Sequence, residues 1–212
     1  MSISSLSNFS VPINGSDNTG LLMPKLKYRF KIIFDGLGVD TDTTELTKQV
    51  SKASRPNVKF ENKVIDVYNS KINYAGKPTW DPISVTIRDD AGGTVNKIVG
   101  QQNQKQFDFF EQSSAAAAGD YKFRMTIHVL DGANNNNYSD ANILETWECY
   151  GCYIVSSTFG ELIYSDASPM EIQLSIQPDN CVQTAGGAIG YDKTTRPAVT
   201  SSPQIMGGGP LG

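Results

Sequence analysis

Along most of the middle of the chain, hydrophobic and polar positions alternate with a period of two, the spacing of strands with one buried face. The cleanest case is 170–177, where Met170, Ile172, Leu174 and Ile176 interleave with Glu171, Gln173, Ser175 and Gln177. Ile83, Val85 and Ile87 alternate with Ser84, Thr86 and Arg88. Tyr121, Phe123, Met125, Ile127 and Val129 alternate with Lys122, Arg124, Thr126 and His128. A first strand after Pro24 is carried by Tyr28, Phe30, Ile32 and Phe34. Residues 144–158 are β-prone throughout, with Gly151 inside as a bulge or bend. Residues 57–74 read as a hairpin: Val58 and Phe60, then 64–68, turn at Asn69-Ser70 and return through 71–74. Ala75-Gly76-Lys77-Pro78 leads out of it. A further short strand is expected after Phe159-Gly160-Glu161-Leu162.

Two stretches break this period. Residues 45–54 suit a short helix that Pro56 ends. Val95, Ile98, Val99, Phe107, Phe109 and Phe110 have helical spacing, and the alanines at 115–118 favour helix intrinsically. Gly100 weakens the first half, so the firmest helix is expected near 103–117, with Gly119 as its stop. The ends carry neither period. Residues 1–24 read as an extended arm, and 180–212 as a Gly-, Pro- and Ser-rich flexible extension. Between them, 25–179 forms one mainly β domain with one main α-helix and a long hairpin.

Composition narrows the function. Of 212 residues, 39% are hydrophobic and the net charge is −4, so no basic field marks a nucleic-acid reader. No apolar run reaches membrane-spanning length, and the N-terminus lacks the charged start and apolar stretch of a secretory signal. Three cysteines do not make a disulfide framework.

Catalytic chemistry finds little support. Cys149 and Cys152 form C-x-x-C, but a zinc site needs a second pair, and only Cys181 and His128 remain. In an extended strand, positions i and i+3 face opposite sides, which favours structural thiols. A late disulfide between assembled subunits through Cys181 is the alternative. His128, the only histidine, reads as a polar residue on a solvent face. Asp89-Asp90 reads as a solvated turn rather than a metal pair, and Gly92-Gly93 lacks a phosphate-binding context. Trp80 and Trp147 read as packing anchors. No enzyme, cofactor or metal is expected.

The segment KINYAGKPTWDPISVTIRDDAG, 71–92, resembles the tail tube proteins of contractile phages of the T-even (myovirus) type. Phe159-Gly160-Glu161-Leu162 and the strand at 170–177 are similar to that family's Gly-Glu-Leu turn and last strand, and the order of elements matches over roughly 25–179. The Asn-rich loop at 134–137, the arm and the tail exceed the family's compact pattern.

This resemblance implies a β-sandwich or split barrel whose subunits join into a hexameric ring β-barrel. Such rings stack into a tube inside a contractile sheath, conducting the tape-measure protein and genomic DNA without sequence-specific binding. Its partners would be itself and the sheath, baseplate and tape-measure proteins, with no membrane. Its place would be the virion tail, assembled in the host cytoplasm. Glu171, Gln173, Ser175 and Gln177 are the candidate lumen-facing residues, although any solvent-facing strand has such a side. Lys71, Ile72, Asn73, Tyr74, Ala75 and Gly76 form the candidate inter-subunit hairpin, and Asp at Ile72 or Ile87 is expected to stop assembly. A baseplate or terminator ring, or a type VI secretion tube-like protein, remains open. So does a soluble β-sandwich ligand-binding module; a thiol oxidoreductase is remoter still.

Overall fold

In the computed structural model, the described residues are 24–39, 43–131, 143–185 and 189–190. The arm at 1–23, the Asn-rich loop and the tail beyond 190 lie outside them. A seven-stranded antiparallel sheet runs in the order β1 (Phe30–Asp35), β8 (Phe123–Leu130), β9 (Ile143–Thr158), β10 (Glu171–Gln177), β5 (Ile83–Arg88) and β2 (Val50–Ala53). β11 (Asn180–Ala185) also pairs with β9. The expected mainly β architecture with one main helix is what forms.

The alternating apolar residues make one core. Ile32 lies opposite Ile127 and Phe34 opposite Met125. On the other half of the sheet Ile172 lies opposite Ile87 and Leu174 opposite Val85. All of them belong to a single buried cluster, so the two halves of the sheet close on each other. What folds the sheet is β9. Its first half pairs with β8 and β11, and its second half with β10. Between them Gly151 takes φ +64, a left-handed conformation that costs a residue with a Cβ.

The helix is displaced from its expected place. It is α2 (Thr94–Gln106), after the short α1 (Thr44–Gln49). Val95, Ile98, Val99 and Gln102 form its buried stripe, the i, i+3, i+4, i+7 pattern that packing rewards. Gly100 sits on the exposed side with nothing near its would-be Cβ, so it costs propensity but no contact. The three phenylalanines at 107–110 are exposed, and the alanines at 115–118 form no α-helix. Intrinsic propensity loses to tertiary burial here. The Asp90 carboxylate accepts from the Val95 N–H at 2.9 Å, which, with other hydrogen bonds from this turn, holds its pKa below the ordinary value.

Polar side chains of α2 finish the sheet. Where β8 stops pairing, the Gln106 amide accepts from the Ile154 N–H and donates to the Ile154 carbonyl, both at 2.9 Å. It thereby replaces a strand on that edge of β9. Gln102, fully buried, accepts from the Gly38 N–H at 3.0 Å and donates to the Tyr121 carbonyl at 2.6 Å.

Two other expectations change. Residues 159–170 are an exposed loop rather than a short strand. The boundary at 179 is too early, because β11 carries Cys181 into the core. Its partner on β9 supplies the backbone hydrogen bonds that its Gly-rich sequel could not.

Candidate assembly interface

Among the described residues, β3 (Val58–Val67) and β4 (Ser70–Trp80) pair only with each other. The hairpin is longer than the sequence suggested, because Pro78, Thr79 and Trp80 continue the ladder against Phe60, Lys59 and Val58. Gly76 allows this: in a bulge at Gly76-Lys77 opposite Glu61, the Glu61 carbonyl lies 3.0 Å from where a Cβ on residue 76 would stand. The tip is Tyr68-Asn69, with Tyr68 at φ 48 and 99% exposed.

The root is anchored and the arm is free. Trp80 meets Trp147 edge to face at 6.5 Å, the packing role read from the sequence. The Gln177 amide donates to the Trp80 carbonyl at 2.8 Å, and the Asp81 N–H to the Asn57 carbonyl at 2.9 Å. Beyond the root, every residue from Lys59 to Ala75 is exposed. Pairing of Ile65 with Ile72, Lys63 with Tyr74 and Val67 with Ser70 puts Ile65, Val67, Ile72 and Tyr74 on one face. Val64, Asn73, Asp66 and Lys71 take the other. Ile72 and Tyr74 therefore belong to an uncovered apolar face, while Lys71, Asn73 and Ala75 do not. Gly76 is part of the bulge. Ile65 and Val67 were missing from the candidate set, although their own alternation in 63–67 signals them.

On β10, Glu171 and Gln173 are exposed, and Ser175 and Gln177 are half-buried, all opposite the core. Glu171 lies beside Arg88 in register and accepts from the Ser51 hydroxyl at 3.1 Å. Gln177 is committed to the hairpin root. The remaining face, with Ser84 and Ser156 as neighbours, is polar and carries little net charge.

A second feature escaped the sequence reading. Glu145 is 2% exposed, yet Lys25 reaches it at 2.7 Å, Arg55 at 3.4 Å, and the Trp147 indole donates to it. Glu145, Trp147 and Cys149 share the inward side of β9, so a carboxylate at that phase was the available signal. Burial pushes its pKa up, but the hydrogen bonds from Lys25 and Trp147 and the charges of Lys25 and Arg55 outweigh it and hold the value below the ordinary carboxylate value. A depressed carboxylate pKa stabilises the fold above the unfolded value, and that stability is lost as pH falls through the folded value. Wild type should therefore lose stability below about pH 4.5 more steeply than Glu145→Gln. At pH 7 the variant should be about 1–3 kcal/mol less stable. Denaturant titrations at the two pH values check both.

The thiols do not behave as an extended strand implied. Cys149 and Cys152 are both buried in the same core, because the bend at Gly151 resets the alternation. Cys181 lies opposite Cys149, buried and so beyond reach of another subunit's thiol in the folded state. All three are free. The hydrogen bond with Cys181, and then burial, push the Cys149 thiol far up, and burial pushes Cys152 up to about 12. Such thiols stay protonated at neutral pH and are poor nucleophiles.

His128 is half-buried rather than on an open face, with Nδ1 3.1 Å from the Thr146 hydroxyl. Burial and Lys31 lower its pKa, against Glu148. Among the described residues no cluster of His, Cys, Asp and Glu is placed to hold a metal. No helix among them is long and apolar enough to cross a membrane.

No family model and no curated protein sequence matches the chain. Solved structures share its fold. The cap that terminates the tube of the anti-feeding prophage aligns with TM-score 0.56 and 14% identity, over 80% of this chain and 96% of that one. A chain of the sheath/tube terminator of the PVC extracellular contractile injection system, in its extended state, aligns with TM-score 0.55 and 14% identity, over 78% and 100%. A chain of that system's extended sheath–tube complex gives 0.52 and 15%, over 76% and 92%. These are chains of tube and terminator assemblies, and the mainly β subunit fold expected from the sequence resemblance is the fold found.

Proposed function

We propose that this chain is a structural subunit of a contractile tail or injection tube, closing head to tail into hexameric rings that stack. The observation that carries the reading is the uncovered apolar face of the β3–β4 hairpin, on a fold shared with tube and terminator proteins over nearly their whole length. A protruding two-stranded ribbon is marginal alone in water, and an exposed apolar face of this kind marks an interaction surface. Heterologous contacts that close make rings, and translated contacts between rings make a filament. The hairpin would lie on a neighbouring subunit, with Ile65, Val67, Ile72 and Tyr74 as its buried face.

In that assembly Glu171, Gln173 and Ser175 would face the lumen. A surface with few cations has few counterions to exchange with a polyanion, which favours DNA or a tape-measure protein sliding past. Sheath and baseplate proteins would be the outer and terminal partners, and the virion tail the location.

A terminator or cap ring is the second reading, favoured by the likeness to a tube-terminating cap. Negative-stain electron microscopy of the purified full chain separates the two. Long tubes are expected for the tube subunit, and isolated rings or short stacks for a terminator. Monomers at every concentration would overturn both and favour a soluble binding module.

A further inference from the structure

β1 and β2 are the two outer strands of the main sheet, and a cleft of about 800 Å³ separates them. Lys25, Lys27, Arg29, Lys52, Arg55 and Arg88 line it with no Asp or Glu among the lining residues. Its floor is apolar, formed by Phe30, Val50, Ile127 and Val129. On a chain of net charge −4, this is a local concentration of the opposite sign. Glu145 offsets Lys25 and Arg55 from below, and the Arg29 guanidinium donates to the Asp131 carbonyl. Lys27, Lys52 and Arg88 have no ion-pair partner among the described residues.

The complementary surface is the 159–170 loop between β9 and β10. Its sequence, FGELIYSDASPM, contains Glu161 and Asp166 and no Lys or Arg. Every residue in it is exposed: Leu162 is 82% exposed, and Ile163 and Tyr164 project beside it. The loop is shaped, because the Asp166 N–H donates to the Ile163 carbonyl at 3.2 Å and the Ser168 N–H to the Asp166 carboxylate at 2.9 Å. That turn presents Tyr164 at its tip. Three large apolar side chains between two carboxylates match an apolar floor beneath a cationic rim in both shape of chemistry and sign of charge. In its own subunit the loop lines no part of the cleft, so the match is between copies.

We propose that the 159–170 loop of one copy seats in the β1–β2 cleft of a neighbouring copy. Leu162, Ile163 and Tyr164 meet the apolar floor, and Glu161 and Asp166 face Lys27, Lys52 and Arg88. The backbone groups on the outer edges of β1 and β2, which pair with no strand among the described residues, are then available to the incoming segment. This contact rests on the assembly reading above and names a second surface for it, separate from the hairpin.

Charge reversal tests it in the full chain. The variant E161K/D166K places like charges together, and its critical concentration for assembly should rise by about 100-fold or more. Adding K27E/K52E to the same subunits should restore assembly. Independently, Tyr164→Cys combined with Lys52→Cys should give a ladder of covalent multimers on mild oxidation, against native thiols that are buried. Normal assembly of E161K/D166K beside an assembling wild type would overturn this contact and leave the assembly reading intact. Crosslinking confined within one subunit would overturn it also, as would binding of a short DNA duplex that K27E/K52E abolishes while E161K/D166K still assembles. A wild type that stays monomeric would overturn the assembly reading and this contact together.

Discussion

Ile72→Asp is expected to leave a folded, soluble monomer that no longer assembles, whereas Ile87→Asp should leave no folded protein. Sequence patterning treats the two isoleucines alike, since each sits at an apolar position of a strand. In the structure Ile87 is fully buried between Val50 and Ile172, whereas Ile72 is 55% exposed on the hairpin. An ionised carboxylate at position 87 would have no partner in the core, at a cost of more than about 4 kcal/mol. That is a large fraction of the roughly 5–15 kcal/mol that holds a typical domain. At position 72 the same carboxylate stays hydrated in the free subunit and costs about 0.5 kcal/mol or less. Assembly would bury it against a neighbour, once for every subunit of the ring. Thermal melts by circular dichroism and sedimentation of the two variants give the comparison. Normal tubes from Ile72→Asp would remove the hairpin from the interface; a native-like melt for Ile87→Asp would contradict the core described above.

Gly151→Ala should destabilise the domain by about 2–4 kcal/mol. Two costs combine. Residue 151 keeps φ +64, which costs a residue with a Cβ about 1–2 kcal/mol. The new Cβ would also stand 2.7 Å from Asp179 Cγ and 3.0 Å from its Cβ, so the Asp179 side chain must shift. Asp179 has little freedom to yield: its N–H donates to the Tyr150 carbonyl at 3.0 Å and its carboxylate pairs with Lys122. Removing that side chain in the double variant G151A/D179A should recover the steric part and leave the backbone part, a non-additivity of about 1–2 kcal/mol. Denaturant midpoints of the wild type, two single variants and the double variant supply the cycle. Additive losses would show that the clash is relieved elsewhere.

Much of this molecule was readable in advance because a period of two is a direct imprint of a half-buried strand. Strands 83–88, 123–130 and 171–177 lie where alternation placed them and 143–158 where a β-prone run did, and the bend at Gly151 follows from a glycine inside that run. Failures occurred where two signals competed. The alanines at 115–118 have high helix propensity but no apolar stripe to bury, and α2 formed where a stripe existed despite Gly100. β11 was overlooked because NCVQTA sits at the head of a Gly- and Ser-rich stretch, and only the open edge of β9 gives it a partner. On the hairpin's exposed apolar face, Ile72 and Tyr74 belong to the candidate segment, whereas Ile65 and Val67 lie on the other strand outside it. Glu145 lay in plain view between Leu144 and Thr146, but its ion partners are about 90 and 120 residues away in the chain.

What the sequence determined by itself was therefore local: which residues alternate, where the chain turns, that the domain is mainly β, and that catalytic groups are scarce. Those properties depend on neighbours within a few positions, and the chain displays them directly. Tertiary structure decided what the same patterns were used for. It sent Ile87 to the core and Ile72 to an open face, placed Cys149 and Cys152 on one side of a bent strand, and gathered six cations between the two outer strands. Each outcome depends on contacts across long separations, and alternation cannot say which apolar face meets its own core and which is left open.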